Sequence, residues 1–135
     1  MSQEQLQQKY FEYQMYEEHV KKLQEQYSQI DEQLLEIEYI KKAIDDLAHV
    51  KGGKDMMCPL SNGIFVKANI QKPEHFLVNV GENVICKKTP QQTKELMEKQ
   101  KKEMESNREQ IGEQLESIQK RMHELEQELS NLMQG

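Results

Sequence analysis

Two runs of heptad-spaced apolar residues, separated by a stretch with strand-like alternation, limit what this chain can fold into more than any other feature. Leu6, Tyr13, Val20, Tyr27 and Leu34 recur every seventh residue, and Tyr16, Leu23, Ile30, Ile37 and Ile44 form a second series three places on. Toward the other end, Met97, Met104, Ile111, Ile118, Leu125 and Leu132 form one series, and Leu115, Met122 and Leu129 form another four places on. Such spacing draws a narrow apolar stripe along each helix, the pattern of a coiled-coil seam. The sequence between the two runs is too long for a turn and must carry structure of its own.

Composition agrees with narrow seams rather than a globular interior. The chain has 135 residues, 36% apolar and 31% charged, with no tryptophan, which suits apolar stripes with solvated flanks. Its formal charge is −6, from 24 acidic against 18 basic residues. No basic block stands out, which argues against a nucleic-acid groove or an anionic membrane face. No apolar run approaches the roughly 20 residues of a membrane span, and the polar, acidic start is not that of a signal peptide. Cys58 and Cys86 provide no disulfide framework. A cytoplasmic, reducing setting is expected.

The first helix is expected over residues 3–50. Ser2 and Gln5 have capping-box spacing, and Gly52-Gly53 stop the pattern. At 1.5 Å per residue it is roughly 70 Å long. Ile37, Ile40, Ile44 and Leu47 broaden its stripe near the end, which calls for more cover than one partner helix. The second helix is expected over 90–134, with Thr89 as N-cap, Pro90 at the first helical position and Gln92 completing the box. Its one irregularity is Gly112, which either permits close approach of a neighbour or is a tolerated surface glycine. Between the helices, residues 51–88 read as two β-hairpins. Asn62-Gly63 joins Met57–Ser61 to Ile64–Ile70, and Gly81-Glu82-Asn83 joins His75–Val80 to Val84–Lys88.

Folding the chain back on itself favours one register over a shift of one heptad, which leaves more overhang; the alternative is pairing between chains, with each helix in a separate coiled coil. Pairing residues whose numbers sum to 138 brings Leu6 to Leu132, Tyr13 to Leu125, Val20 to Ile118, Tyr27 to Ile111 and Leu34 to Met104. The same offset matches Tyr16 with Met122 and Leu23 with Leu115. Lys9, Lys41, Lys101 and Arg108 interrupt the seam. Seam polars control register at a cost in stability, and long basic stems snorkel outward.

Two isolated hairpins are marginal in water. Ile64, Val66, Ala68 and Ile70 on the first, and Phe76, Val78 and Val80 with Val84 on the second, form apolar faces with only helix ends to cover them. Exposed edges and apolar strand faces invite partner strands. The fold class expected is mainly α with a small β part. A long antiparallel coiled-coil hairpin carries two β-hairpins between its helices, and the hairpins of several chains join into an oligomeric sheet from which coiled-coil arms project.

The segments Pro59-Leu60-Ser61-Asn62-Gly63-Ile64-Phe65-Val66-Lys67-Ala68 and Phe76-Leu77-Val78-Asn79-Val80-Gly81-Glu82-Asn83-Val84 resemble the two hairpins of the prefoldin α-class subunits. These are archaeal, with a eukaryotic relative in the same class. The resemblance covers essentially the whole length, as a single prefoldin-like domain over 1–135, and its specific part is the central hairpin region. His75-Phe76 and Cys86 depart from the residues more usual in the family. The resemblance implies a non-enzymatic, ATP-independent co-chaperone. It also implies a hetero-hexamer of two α and four β-class subunits with a β-barrel body, whose coiled-coil tips hold unfolded clients and pass them to a group II chaperonin.

On that implication the client-binding residues are those where the two termini meet. Leu6, Tyr10, Phe11, Tyr13, Met15 and Tyr16 face Leu129, Leu132 and Met133. Tyr13, Tyr16, Leu125 and Leu129 are also seam positions, whereas Tyr10, Phe11, Met15 and Met133 lie off the seam or at its margin. Methionine adapts to irregular surfaces and aromatic rings bury much area per contact. The tip is acidic, since Glu12, Glu17, Glu18, Glu124, Glu126 and Glu128 outnumber Lys9, Lys120 and Arg121.

No catalytic constellation, cofactor site or phosphate loop is present in the sequence, so an enzyme is not expected. His49, Cys58, His75 and Cys86 match no standard zinc spacing, and no metal site is assigned. The competing reading is a structural coiled-coil adaptor or scaffold, oligomerised through its hairpins.

Overall fold

A computed structural model describes residues 3–134. In chain order the elements are helix α1 (Gln3–Ala48), strands β1 (Lys54–Ser61), β2 (Ile64–Ile70), β3 (Phe76–Asn79) and β4 (Ile85–Lys88), and helix α2 (Pro90–Gln134). The chain divides into two compact units, Met1–Leu34 with Glu103–Gly135, and Leu35–Lys102.

In the first unit the two helical segments run antiparallel. Lys9 Nζ lies 2.7 Å from Glu128, Arg121 Nε lies 3.6 Å from Glu12, and a guanidinium nitrogen of Arg108 lies 2.8 Å from Asp31. The apolar stripes close between these pairs. Leu125 is 0% exposed, and Leu23 and Leu34 are buried. Each such leucine contributes about 2 kcal/mol through apolar burial. The Arg108 guanidinium carbon stands 6.0 Å from the Tyr27 ring centroid, within cation–π range. A Cβ added at Gly112 would meet only Tyr27 Cε2, at 3.9 Å. That is ordinary contact, so Gly112 is a tolerated glycine and not one demanded by close approach.

In the second unit the end of α1 pairs with the start of α2 through Lys41–Glu98 at 2.6 Å, Lys101–Glu38 at 2.9 Å and Lys94–Asp45 at 2.6 Å. Ile37 and Ile44 are buried there. The expected register holds within each unit. The cations that interrupt the seam each turn to a carboxylate one residue beside the apolar seam partner that the register assigns them. Lys9 reaches Glu128 beside Leu129, Arg108 reaches Asp31 beside Ile30, Lys101 reaches Glu38 beside Ile37, and Lys41 reaches Glu98 beside Met97. The stems cover the seam while the charges leave it, which is how a narrow core tolerates them.

α2 starts as its sequence dictates. The Thr89 N–H donates to Gln92 Oε1 at 3.0 Å and the Gln92 N–H donates to Thr89 Oγ1 at 3.1 Å, a reciprocal capping box ahead of Pro90. α1 stops two residues earlier than expected, because the Val50 N–H turns to Leu47 O at 3.3 Å and tightens the last turn. Ser2, its expected cap, lies outside the described residues.

β1 and β2 form one antiparallel hairpin, and β3 and β4 form another. β1 begins at Lys54, three residues before the expected start. Asn69 donates to Asp55 at 3.2 Å and Lys67 pairs with Asp55 at 3.2 Å, so polar pairs extend a ladder that apolar alternation alone would end. Gly63 takes the left-handed conformation (φ 74°), and the ladder shifts between Pro59 and Ser61, a bulge that absorbs the turn's twist. The second turn is left-handed throughout, at Gly81, Glu82 and Asn83. It is closed by hydrogen bonds at 2.9 Å from the Val80 N–H to Val84 O and from the Val84 N–H to Gly81 O.

Candidate functional site

At the terminal end of the first unit, both helices contribute to an apolar groove of about 420 Å³ lined by Leu6, Gln7, Tyr10, Phe11, Gln14, Leu129 and Met133. Its geometry follows from helix periodicity. Leu6, Tyr10 and Gln14 form a row four residues apart, Gln7 and Phe11 form the next row, and Leu129 and Met133 form the facing row on α2. Leu6 and Leu129 are seam residues at the groove's floor, and the others climb its walls. Tyr10 is 57% exposed, Phe11 62% and Met133 81%, a concentration of large apolar side chains that a two-helix seam does not require.

Of the residues singled out from sequence, Leu6, Tyr10, Phe11, Leu129 and Met133 come together here. Tyr13, Met15, Tyr16 and Leu132 do not line the groove. Met15 is 58% exposed, while Tyr13, Tyr16 and Leu132 are half-buried. Gln7 and Gln14 are lining residues that sequence reasoning misses. Their signal is the four-residue row through Tyr10 and Phe11, hidden because glutamine carries no hydrophobic mark.

Ion pairs hold the helix ends beneath this groove. By helical period Lys9 and Glu128 fall on the opposite flank of the seam from Tyr10 and Met133. Arg121 extends that pair to Glu124 at 3.4 Å and a second Glu128 oxygen at 3.7 Å. The hydrogen bond from Lys9 holds the Glu128 carboxyl below the usual carboxylate range. On the groove flank the Tyr13 hydroxyl donates to Glu126 at 2.5 Å. That bond, then burial, then the negative charges of Glu126 and Glu17, push the Tyr13 hydroxyl up to about 12.

The second set of candidate residues lies on the hairpins. Cross-strand partners point to one face, so Cys58 with Val66 and Met56 with Ala68 extend the apolar side of the first hairpin. Ile64, Val66 and Met56 are exposed, and Ala68 and Ile70 half-exposed. On the second hairpin Phe76, Val78 and Cys86 are half-buried, whereas Val80 and Val84 are exposed. Leu35 and Tyr39, one turn apart on α1 and outside the heptad series, are also exposed. Among the described residues no three histidine, cysteine or acidic side chains are grouped to hold a metal ion, and no helix is long and apolar enough to cross a membrane.

Long paired helices flanking two hairpins are a known arrangement, and residues 16–135 match the prefoldin subunit family. The chain belongs to the prefoldin subunit family. Prefoldin subunit alpha of Methanococcus maripaludis strain C5 is 35% identical over 85 residues, 63% of this chain and 57% of that protein. Prefoldin subunit alpha of Methanococcus vannielii is 35% identical over the same length, 56% of that protein. The matched region thus spans less than two-thirds of these relatives. A cryo-EM structure of filamentous PFD from Methanocaldococcus jannaschii shares the fold, with a TM-score of 0.76 over 85% of this chain and 95% of that one, at 16% identity. The α class expected from the two hairpins is the class its curated relatives carry in their names, and prefoldin subunits are non-enzymatic.

Proposed function

We propose that this prefoldin-family chain is a subunit of an ATP-independent holdase chaperone that binds unfolded polypeptides at its paired helix ends. The observation that carries this reading is the groove built by both helices, with Tyr10, Phe11 and Met133 open to solvent around it. Frayed helix ends give the other apolar residues there, Tyr13, Met15, Tyr16 and Leu132, access to a client as well. A surface that must accept many sequences is well served by methionine and aromatic rings, which adapt and bury area without requiring one shape.

In this reading residues 1–135 act as one prefoldin-like domain in the cytoplasm. The apolar hairpin residues, Ile64, Val66, Ala68 and Ile70 with Phe76, Val78, Val80 and Val84, join it to β-class subunits in a hetero-hexamer of two α and four β chains. A group II chaperonin receives the client.

The test is the double variant Tyr10→Ser/Phe11→Ser, assayed for suppression of aggregation of a chemically unfolded protein, with mass measured by light scattering. Weakened holding at unchanged assembly mass is expected. Full activity in that variant would show that the tip assignment is wrong, and a parent chain that assembles without suppressing aggregation would leave a coiled-coil scaffold as the better account.

A further inference from the structure

We infer that the groove takes its client as a short amphipathic helix bearing lysine or arginine beside its apolar anchors, and that it does so on one flank of the helix pair only. This rests on the holdase reading above and names the class of segment held.

The walls of the groove are the sides of two helices, whose backbone groups are already hydrogen-bonded along their own axes. An extended peptide laid there would bury N–H and C=O groups without partners, at a substantial cost per group. A helix satisfies its own backbone and presents only side chains, the helix-in-groove mode. From Leu6 to Gln14 the groove runs about 12 Å at 1.5 Å per residue. That is roughly two turns of a bound helix, so anchors at i, i+4 and i+7 fit it.

The charge around the groove has one sign. Glu18 continues the row through Tyr10 and Gln14, Glu17 lies seven residues on from Tyr10 on the same flank, and Glu126 precedes Leu129 by three residues; all three are exposed. The cations of this end lie elsewhere. Lys9 and Arg121 are engaged with Glu128, Glu12 and Glu124, and Lys21, Lys22 and Lys120 lie about two turns or more along the helices from the lining residues. An apolar floor with carboxylates at its rim favours an apolar segment flanked by positive charge and repels one flanked by negative charge. The opposite flank is closed by the Lys9–Glu128 pair and offers no apolar wall.

The experiment uses the full chain and three fluorescein-labelled peptides of equal apolar content. One is helical with leucine and phenylalanine anchors and lysine flanks, one has glutamate flanks, and one carries a central proline with lysine flanks. Anisotropy should rank the lysine-flanked helix tightest, with the glutamate-flanked peptide roughly tenfold weaker and the difference fading toward about 0.5 M salt. Methyl-labelled methionine spectra should show Met133, which lines the groove, moving more than Met15, which does not. Glu17→Gln/Glu18→Gln should narrow the lysine–glutamate gap. Equal binding of the first two peptides overturns the charge preference, equal binding of the proline peptide overturns the helix, and equal shifts at Met15 and Met133 overturn the single flank. Binding of none of the peptides by a chain that still suppresses aggregation sinks this inference and leaves the holdase reading standing; loss of both sinks both.

Discussion

Lys41 Nζ and Glu98 Oε2 stand 2.6 Å apart across the two helices. Lys41 occupies a seam position where the repeat asks for an apolar residue. Its ammonium lies 3.7 Å from Glu38, and Lys101 approaches that same glutamate at 2.9 Å. Two seam cations and two carboxylates from opposite helices thus form one network. A shift of one heptad would carry Lys41 to Glu105 and Lys101 to Asp45, so the network supports the pairing while the greater apolar overlap favours the alignment.

Charge reversal tests that account. Lys41→Glu should lower the melting temperature of the helix pair, followed by circular dichroism. Adding Glu98→Lys should recover part of the loss. The recovery is incomplete, since the new lysine then faces Lys101 nearby. Absence of any recovery would mean that Lys41 matters only through its aliphatic stem.

The same pair predicts a pH dependence. The hydrogen bond from Lys41 holds the Glu98 carboxyl below its usual range, and the bond to Glu98 raises Lys41 above its own. A lowered carboxylate contributes stability above its unfolded pKa and loses it as pH falls through the folded value. A raised lysine contributes below its unfolded pKa and loses it as pH rises through the folded value. The gap in melting temperature between the parent and Glu98→Gln should therefore be widest near neutrality and close below about pH 4. A gap that persists under more acidic conditions would assign the effect of the substitution to packing.

Gly112 sits within α2 with room for a methyl group beside Tyr27. Gly112→Ala should stabilise the chain by ~1 kcal/mol through helix propensity alone, measured as a shift in the urea midpoint at constant slope. Destabilisation would show that the Tyr27 ring needs the space that the glycine leaves.

The hairpin face separates folding from assembly. Val66 is exposed in the single chain, so Val66→Asp should leave the far-ultraviolet spectrum of the chain nearly unchanged. On the assembly proposed above, its complex with a β-class subunit should fall in mass on light scattering. An intact complex would show that the face carrying Val66 does not join subunits.

Heptads, hairpin turns and the Thr89–Gln92 box were legible because each is a local rule: a period, a left-handed glycine, two side chains three residues apart. Register was legible only as a preference, since a shift of one heptad keeps the apolar matches and merely leaves more overhang. The early start of β1 was not, because Asp55 gains its meaning only from Asn69 and Lys67 on the adjacent strand.

The sequence by itself therefore determined the two helices, the hairpins between them and the family, and favoured one alignment of the seam. Tertiary structure alone decided where each seam cation ends, on a carboxylate one residue aside from its apolar partner, and which flank of the helix ends opens as a groove. Those outcomes depend on distances between residues far apart in the chain, from 57 positions for Lys41 and Glu98 to 119 for Lys9 and Glu128. A one-dimensional pattern encodes periodicity, and periodicity fixes faces. Only the approach of a second face decides which side chains on it are covered.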